Sequence, residues 1–202
     1  MVTPRRLEKF TRIAALRDLD AAVVLEDIHD PHNAAAAFRS CDAFGIQNIH
    51  IIFEREKPFN PRKLGRKTSA YTNKWLDFHI HHGTQTALEQ LKAAGHTLIA
   101  THVDPDAAPL PSFDFTRIAK PAFIFGNEHR GVSDMVLAAA HASAFIPMIG
   151  LAESFNLSVS VSLVLYEYLS QTRLNRPPAT TRPKPAPSAA SQALLERWLK
   201  RM

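Results

Sequence analysis

Residues 21–53 read AAVVLEDIHD PHNAAAAFRS CDAFGIQNIH IIF, and this stretch decides the fold. Ala21-Ala22-Val23-Val24-Leu25 is an unbroken apolar run of strand length, and Asp30-Pro31-His32-Asn33 is turn chemistry. The Ala-rich run from Ala34 to Phe44 has helical length and stops at Gly45, a residue suited to the turn after a helix. A second β-rich run covers Asn48 to Phe53. Strand, helix and strand within about 30 residues is the spacing of a parallel crossover. A strand with no polar alternation belongs in a sheet covered on both faces.

The pattern repeats downstream. It predicts a helix at 84–94 closing at Gly95, a strand at Thr97–Thr101, an Asp- and Pro-rich loop, and a strand at Ala122–Phe125. A tight loop from Gly126 to Gly131 follows, then a helix at 133–140, a short strand at Ala144–Pro147 and a final helix at 155–171. The expected class is therefore α/β, a parallel sheet flanked by helices. Upstream, Leu7, Phe10, Ile13, Ala14 and Leu16 recur among charged residues and predict an amphipathic helix over 5–17. Residues 175–188 hold five prolines and read as an extended linker, and Leu194, Leu195, Trp198 and Leu199 mark an amphipathic helix at 188–201. Three parts result: a basic helix at 1–20, a central domain at 21–171, and a Pro-rich linker with a basic helix at 172–202.

Length and charge bound the function. With 202 residues, 46% of them hydrophobic, the chain can bury one substantial core. Its longest apolar stretches fall well short of the roughly 20 residues that span a bilayer, and no apolar segment follows the charged start. Cys41 is the single cysteine, so no disulfide framework exists, and a cytoplasmic location is expected. The net charge of +5 is unevenly placed. Residues 1–20 and 171–202 together carry an excess of eight positive charges, and the middle is negative. A second basic cluster comprises Arg55, Lys57, Arg62, Lys63, Arg66, Lys67 and Lys74. Such groupings suit a phosphate backbone, because each neutralised phosphate releases counterions; a solubilising surface is the plain alternative.

Three segments can carry chemistry: Asn33 to Arg39 ending in Phe44-Gly45, Phe125-Gly126-Asn127-Glu128-His129-Arg130-Gly131, and Ile146-Pro147-Met148 with Ser154-Phe155-Asn156-Leu157-Ser158. Each follows a predicted strand, and open α/β sheets bind ligands beyond the carboxyl ends of their strands. An arginine among alanines, Arg39, fits a solvated helix face or an ion pair as well as a group that holds phosphate beside a hydroxyl; Asn33 is a plausible N-cap placed to orient it. Two glycines around Glu128 let the backbone turn tightly and come close to a flat ligand, though an ordinary strand-to-helix turn reads the same. A helix starting near Ser154 offers N–H groups and hydroxyls to an anion, and N-capping alone accounts for Ser154 equally well.

Together and in this order, the three segments resemble the signature motifs of the SpoU/TrmH RNA 2'-O-ribose methyltransferases of the SPOUT superfamily. The Leu25-to-Asn33 approach and the basic ends look like the TrmH branch, the type that modifies guanosine 18 in the transfer RNA D-loop. The resemblance implies a C-terminal deep trefoil knot, S-adenosyl-L-methionine as methyl donor, transfer RNA as partner and a homodimer. It further implies that Gly126, Ile146 and Phe155 contact the donor, with Thr101 lining the pocket. The family usually has leucine where this chain has Phe155, so the implied contact there is through the backbone. Glu153 replaces a more usual neutral residue and sets negative charge near the RNA path. Arg39 matches the catalytic arginine; since a guanidinium normally stays protonated, it is expected to position the ribose and its phosphate, with Asn33 orienting it. Ser154 is implied to bind phosphate, and Asn156 and Glu128 to support donor and ribose geometry. Arg5, Arg6, Arg12, Arg173 and Arg176 are the candidate RNA contacts.

Two rival functions share these residues: methylation of ribosomal RNA or another transfer RNA position, and RNA binding without catalysis. The roughly 20 residues before the first strand leave no room for the extra RNA-binding domain of ribosomal RNA enzymes, and Arg39, Glu128 and Asn156 argue against a non-catalytic relative. His79, His81 and His82 lack the cysteine or carboxylate company of a zinc site, and no metal is expected; their alternation with Phe78 and Ile80 suits an ordinary strand.

Overall fold

A computed structural model describes residues 2–64, 72–103, 107–174 and 187–202. The chain runs α1 (Pro4–Leu16), β1 (Asp18–Glu26), α2 (Pro31–Ala43), β2 (Ile46–Phe53), β3 (Asp77–His82), α3 (Thr84–Ala93) and β4 (Thr97–Thr101). It continues through β5 (Ala108–Pro109), β6 (Pro121–Phe125), α4 (Asp134–Ala139), β7 (Ala142–Phe145), α5 (Leu157–Leu169) and α6 (Ala189–Lys200). Among the described residues the seven strands form one sheet in the order β3-β2-β1-β6-β4-β7-β5, every neighbouring pair parallel.

The apolar run that opened the sequence becomes the strand buried on both faces. Val23 and Leu25 enter one core with Phe38 of α2 and Val161 and Val164 of α5. Ala22 and Val24 enter the other with Leu88 and Leu91 of α3 and Val136 of α4. Period-two alternation of side chains thus divides one run between two cores. A third, smaller cluster joins α1 to α6 through Ala14, Leu194 and Trp198, with Phe10, Ile13 and Trp75 against them.

Several boundaries differ from the sequence reading: α2 begins at Pro31, inside the stretch read as a turn, and β2 at Ile46 rather than Asn48. β1 starts at Asp18, three residues before the apolar run, because the Asp18 carboxylate accepts the N–H groups of Asp20 and Ala21 (3.1 and 2.9 Å) across a register shift. β7 lies at 142–145 rather than 144–147, pairing Ile99 with Ala142 and Thr101 with Ala144. Pro147 has no N–H to give a ladder, and both it and Ile146 fall beyond the strand. α5 begins at Leu157, with Asn156 as its N-cap, and runs on into a π-helical turn over Ser170–Leu174. The Pro-rich stretch 175–186, with Arg176, and the segment 65–71, with Arg66 and Lys67, lie outside the described residues.

Candidate active site

The sheet order places the ends of β6, β4 and β7 side by side. Gly126 directly follows β6, Thr101 ends β4, and Ile146 follows β7, so three of the residues expected around a ligand occupy neighbouring strand ends. The Thr101 hydroxyl donates to the Ile124 carbonyl oxygen (2.9 Å) and so ties the ends of β4 and β6. Ile146 is half-buried against the first core. Phe155 is exposed, in a loop where Ile149 and Leu151 are exposed as well.

The three chemistry-bearing segments meet in a line of hydrogen bonds. Glu128, in the loop after β6, accepts from the Asn33 side-chain amide (2.8 Å) and from the backbone N–H groups of His29 (2.8 Å) and Asp30 (3.3 Å). Asn33 in turn accepts from the Asn156 side-chain amide (3.1 Å), and Asn156 caps α5 by accepting from Ser158 N (3.0 Å). Residues 95 and 123 positions from Asn33 thereby fix the two helix starts and the loop in one register.

Asn33 does not orient Arg39, contrary to the expectation from the sequence. Six residues of α-helix carry Arg39 about 9 Å along α2 and roughly 120° around its axis from Asn33. The Arg39 side chain is exposed and has no partner among the described residues, whereas Asn33 is fully occupied between Glu128 and Asn156. Nor does Asn33 cap α2: Asp30 does, accepting from His32 N (2.8 Å), with Pro31 in the first helical position. Ser154 likewise stands outside α5, exposed, with the capping done by Asn156.

The glycine pair has a sharper reason than closeness to a ligand. Asn127 and Gly131 exchange backbone hydrogen bonds (2.9 and 2.8 Å), closing a tight loop. A Cβ on Gly126 would stand 2.1 Å from the carbonyl carbon and oxygen of Gly131, so no side chain fits there. Gly131 takes φ +68°, which favours glycine.

Asp27 was not singled out from the sequence, yet it anchors this loop. It follows β1 with φ +54°, and its carboxylate accepts the N–H groups of Glu54, Arg55 and Glu56 (3.1, 2.9 and 2.7 Å) and the Arg130 guanidinium (2.7 Å). Burial alone would raise its pKa; the three backbone donors and Arg130 outweigh burial and hold the carboxyl below the usual range. Asn127 donates to the Asp27 carbonyl (2.7 Å), and buried Glu26 accepts from Ser133 N and Oγ (2.9 and 2.6 Å). The signal was two adjacent carboxylates ending an apolar strand; their partners arrive from β2 and the 127–133 loop, which spacing does not foretell.

Of the candidate RNA contacts, Arg5, Arg6 and Arg12 are exposed on α1. Arg173 is engaged within the chain, pairing with Asp18 (2.8 Å) and donating to the Leu16 carbonyl (2.8 Å). Of the three histidines on β3, His79 and His81 stack on His50 of β2, whose Nδ1 lies 2.9 Å from His81 Nε2. Two of the cavities among the described residues bear on the groups named above. One of about 230 Å³ lies among Glu26, Asp27, Glu54, Arg130 and Ser133; one of about 840 Å³ lies between α1, α6 and the end of α2. Thr101, Gly126, Ile146 and Phe155 line neither.

Comparison with known proteins supplies a frame for this geometry. Residues 20–166 match the model of a family described as the SpoU rRNA Methylase family. The chain is 31% identical over 199 residues to the tRNA (guanosine(18)-2'-O)-methyltransferase of Thermus thermophilus, covering 98% of both chains. It is 31% identical over 166 residues to the protein of the same name from Escherichia coli, covering 82% of this chain and 70% of that one. Its fold is similar to the crystal structure of the A. aeolicus TrmH/SpoU tRNA modifying enzyme, with TM-score 0.84, 25% identity, and 99% and 98% of the two chains covered.

Proposed function

The chain belongs to the SpoU methylase family, and on that premise we propose that it moves the methyl group of S-adenosyl-L-methionine onto the ribose 2'-hydroxyl of guanosine 18 in transfer RNA. The observation that carries this reading is the line Glu128–Asn33–Asn156, which joins three separated segments beside the ends of β6, β4 and β7. The ends of those strands suit the donor: a glycine that can carry no side chain, a half-buried isoleucine and a threonine. S-adenosyl-L-methionine supplies an electrophilic sulfonium methyl there. Gly126, Ile146, Thr101 and the backbone at Phe155 hold it.

Arg39 acts on the nucleophile. Its guanidinium, exposed and without a partner among the described residues, would hold the phosphate next to the target ribose and position the 2'-oxygen for attack. Bound S-adenosyl-L-methionine would supply the methyl group to that oxygen, and the hydroxyl proton would pass to the phosphate. Ser154, without a side-chain partner among the described residues, adds a second phosphate contact. Glu128, Asn33 and Asn156 keep the donor loop and the two helix starts in register. Arg5, Arg6 and Arg12 bind the RNA backbone. Arg173, held by Asp18, serves chiefly to fasten the end of α5 to β1.

We read the return of α5 from β7 onto α2, fastened by the Asn156–Asn33 bond and the 2.8 Å contact of Ser40 Oγ with Ser162 Oγ, as the family's deep trefoil knot. The exposed loop after β7 and the outer face of α5 are the homodimer surface. Among the described residues no helix is long and apolar enough to cross a membrane, and the proposed location is the cytoplasm, with its transfer RNA. The test is transfer of labelled methyl from S-adenosyl-L-methionine to an unmodified transfer RNA transcript, with the site mapped by resistance of one phosphodiester to alkali. Protection after guanosine 18 is expected; no incorporation into any transfer RNA would overturn the reading.

A further inference from the structure

We propose that the cavity of about 840 Å³ between α1, α6 and the end of α2 holds one unstacked nucleotide of the substrate RNA, at a position separate from the methylated ribose. The proposal rests on the transfer RNA reading above. The volume falls within the roughly 300–1,000 Å³ of small-molecule sites.

Charge selects an anion. Arg5, Arg6, Lys9 and Arg17 line the cavity against a single acidic residue, Asp42. Arg5 and Lys9 have no partner among the described residues, and Arg6 only overlies the Phe10 ring. Arg17 is the more telling member. Its side chain is 4% exposed; it pairs with Asp42, donates to the Asp42 carbonyl (3.2 Å), and lies over the Trp198 ring. Its Nε–H is nevertheless buried with no acceptor.

The remaining walls select a base. Phe10, Trp75 and Trp198 line the cavity and stack edge to face on one another, with ring centroids 4.7 to 5.9 Å apart. Aromatic surface beside unpaired cations is the combination that holds single nucleotides, base against ring and phosphate against guanidinium. Two cations without a partner among the described residues, Arg5 and Lys9, stand beside this aromatic cluster.

Position links the cavity to the reaction. Asp42 lies three residues after Arg39 on α2, about 4.5 Å of helix rise. RNA anchored in the cavity can thus run along α2 to Arg39, so that binding far from the target ribose sets which ribose reaches the donor.

The two tryptophans of this chain, Trp75 and Trp198, both line the cavity, so intrinsic tryptophan emission reports on it alone. Titration with unmodified transfer RNA should quench that emission, with a midpoint matching RNA retention on a filter. The substitution Lys9→Ala, on an exposed side chain with no partner among the described residues and no RNA contact assigned above, should weaken the quench and raise KM for transfer RNA about tenfold, with donor affinity by calorimetry unchanged. Transfer RNA binding that leaves emission unaltered, or a variant with the original KM, would overturn the proposal while methyl transfer itself continues. Absence of methyl transfer by the unaltered protein would instead overturn the reading beneath it.

Discussion

At the residue scale, Arg39 and Glu128 should fail in different ways. Arg39 is exposed and has no partner among the described residues, so Arg39→Ala should leave the melting temperature close to its original value, as most surface substitutions do. Methyl transfer should fall at least about a hundredfold, because an ill-placed nucleophile costs that much, while donor binding by calorimetry persists. Retained turnover would remove Arg39 from the mechanism. Glu128→Gln keeps size and shape but turns one oxygen into a donor facing the N–H groups of His29, Asp30 and Asn33. It should cost about 1–3 kcal/mol in denaturant unfolding as well as activity, since one of those donors loses its acceptor. Unchanged stability would mean that the line through Asn33 does not hold the loop. The sequence named both ends of this line because glycines and capping residues mark turns locally. It did not name Asp27, whose work depends on three backbone N–H groups arriving from the end of β2. It also tied Asn33 to Arg39 by proximity along the chain, when helical rotation sends them to different faces.

At the scale of elements, the alternation of apolar runs, turns and glycines placed the larger strands and all the helices to within a few residues. What escaped were β5, only two residues long, and the start of β1, where Asp18 and Asp20 disguise a strand. The pairing of α1 with α6 was invisible for a different reason: their apolar faces were evident, but nothing in a period tells which face meets which. Trp198 is the residue through which they meet, buried, with its Nε1–H on the Trp75 carbonyl (2.8 Å). Trp198→Ala should destabilise the α1–α6 unit by about 3–5 kcal/mol, read as faster proteolysis after Arg197 and Arg201. The β2–β3 edge carries a separate, pH-dependent term. Burial first, then the neighbouring His79, His81 and His96, push the His50 pKa down to about 3. The unfolded chain takes up a proton near its ordinary value of 6.5, whereas the folded one resists until about 3, so stability is complete above pH 6.5 and is lost as pH falls through that window. Denaturant midpoints should decline from pH 7 to pH 4, and His50→Gln should flatten the decline. An equal slope in the variant would put the effect elsewhere.

At the scale of the whole molecule, the packing of α6 on α1 gathers the basic termini onto one flank, while the donor-side strand ends adjoin a surface of the opposite character. Ile149, Leu151 and Phe155 in the loop after β7 are exposed, and on α5 so are Val159, Leu163 and Tyr166. The last three recur at i, i+4 and i+7, one continuous helical stripe, on a helix whose other face, including Leu165, fills the first core. Leu165, between Leu163 and Tyr166 in the chain, is fully buried, because it lies on the side of α5 that meets α2. An apolar stripe continuous with an apolar loop calls for cover, and a second copy supplies it at both ends of a twofold axis at once. Light scattering should therefore give twice the chain mass of 22.5 kDa. The double substitution Leu163→Glu and Tyr166→Glu should halve that mass while the far-ultraviolet spectrum is kept, since neither side chain belongs to the core. Activity should fall with the dimer, because the same loop carries Ser154 and Phe155. A monomeric unaltered protein would remove the dimer from the reading; a monomeric variant with full methyl transfer would show that each copy holds its donor loop unaided.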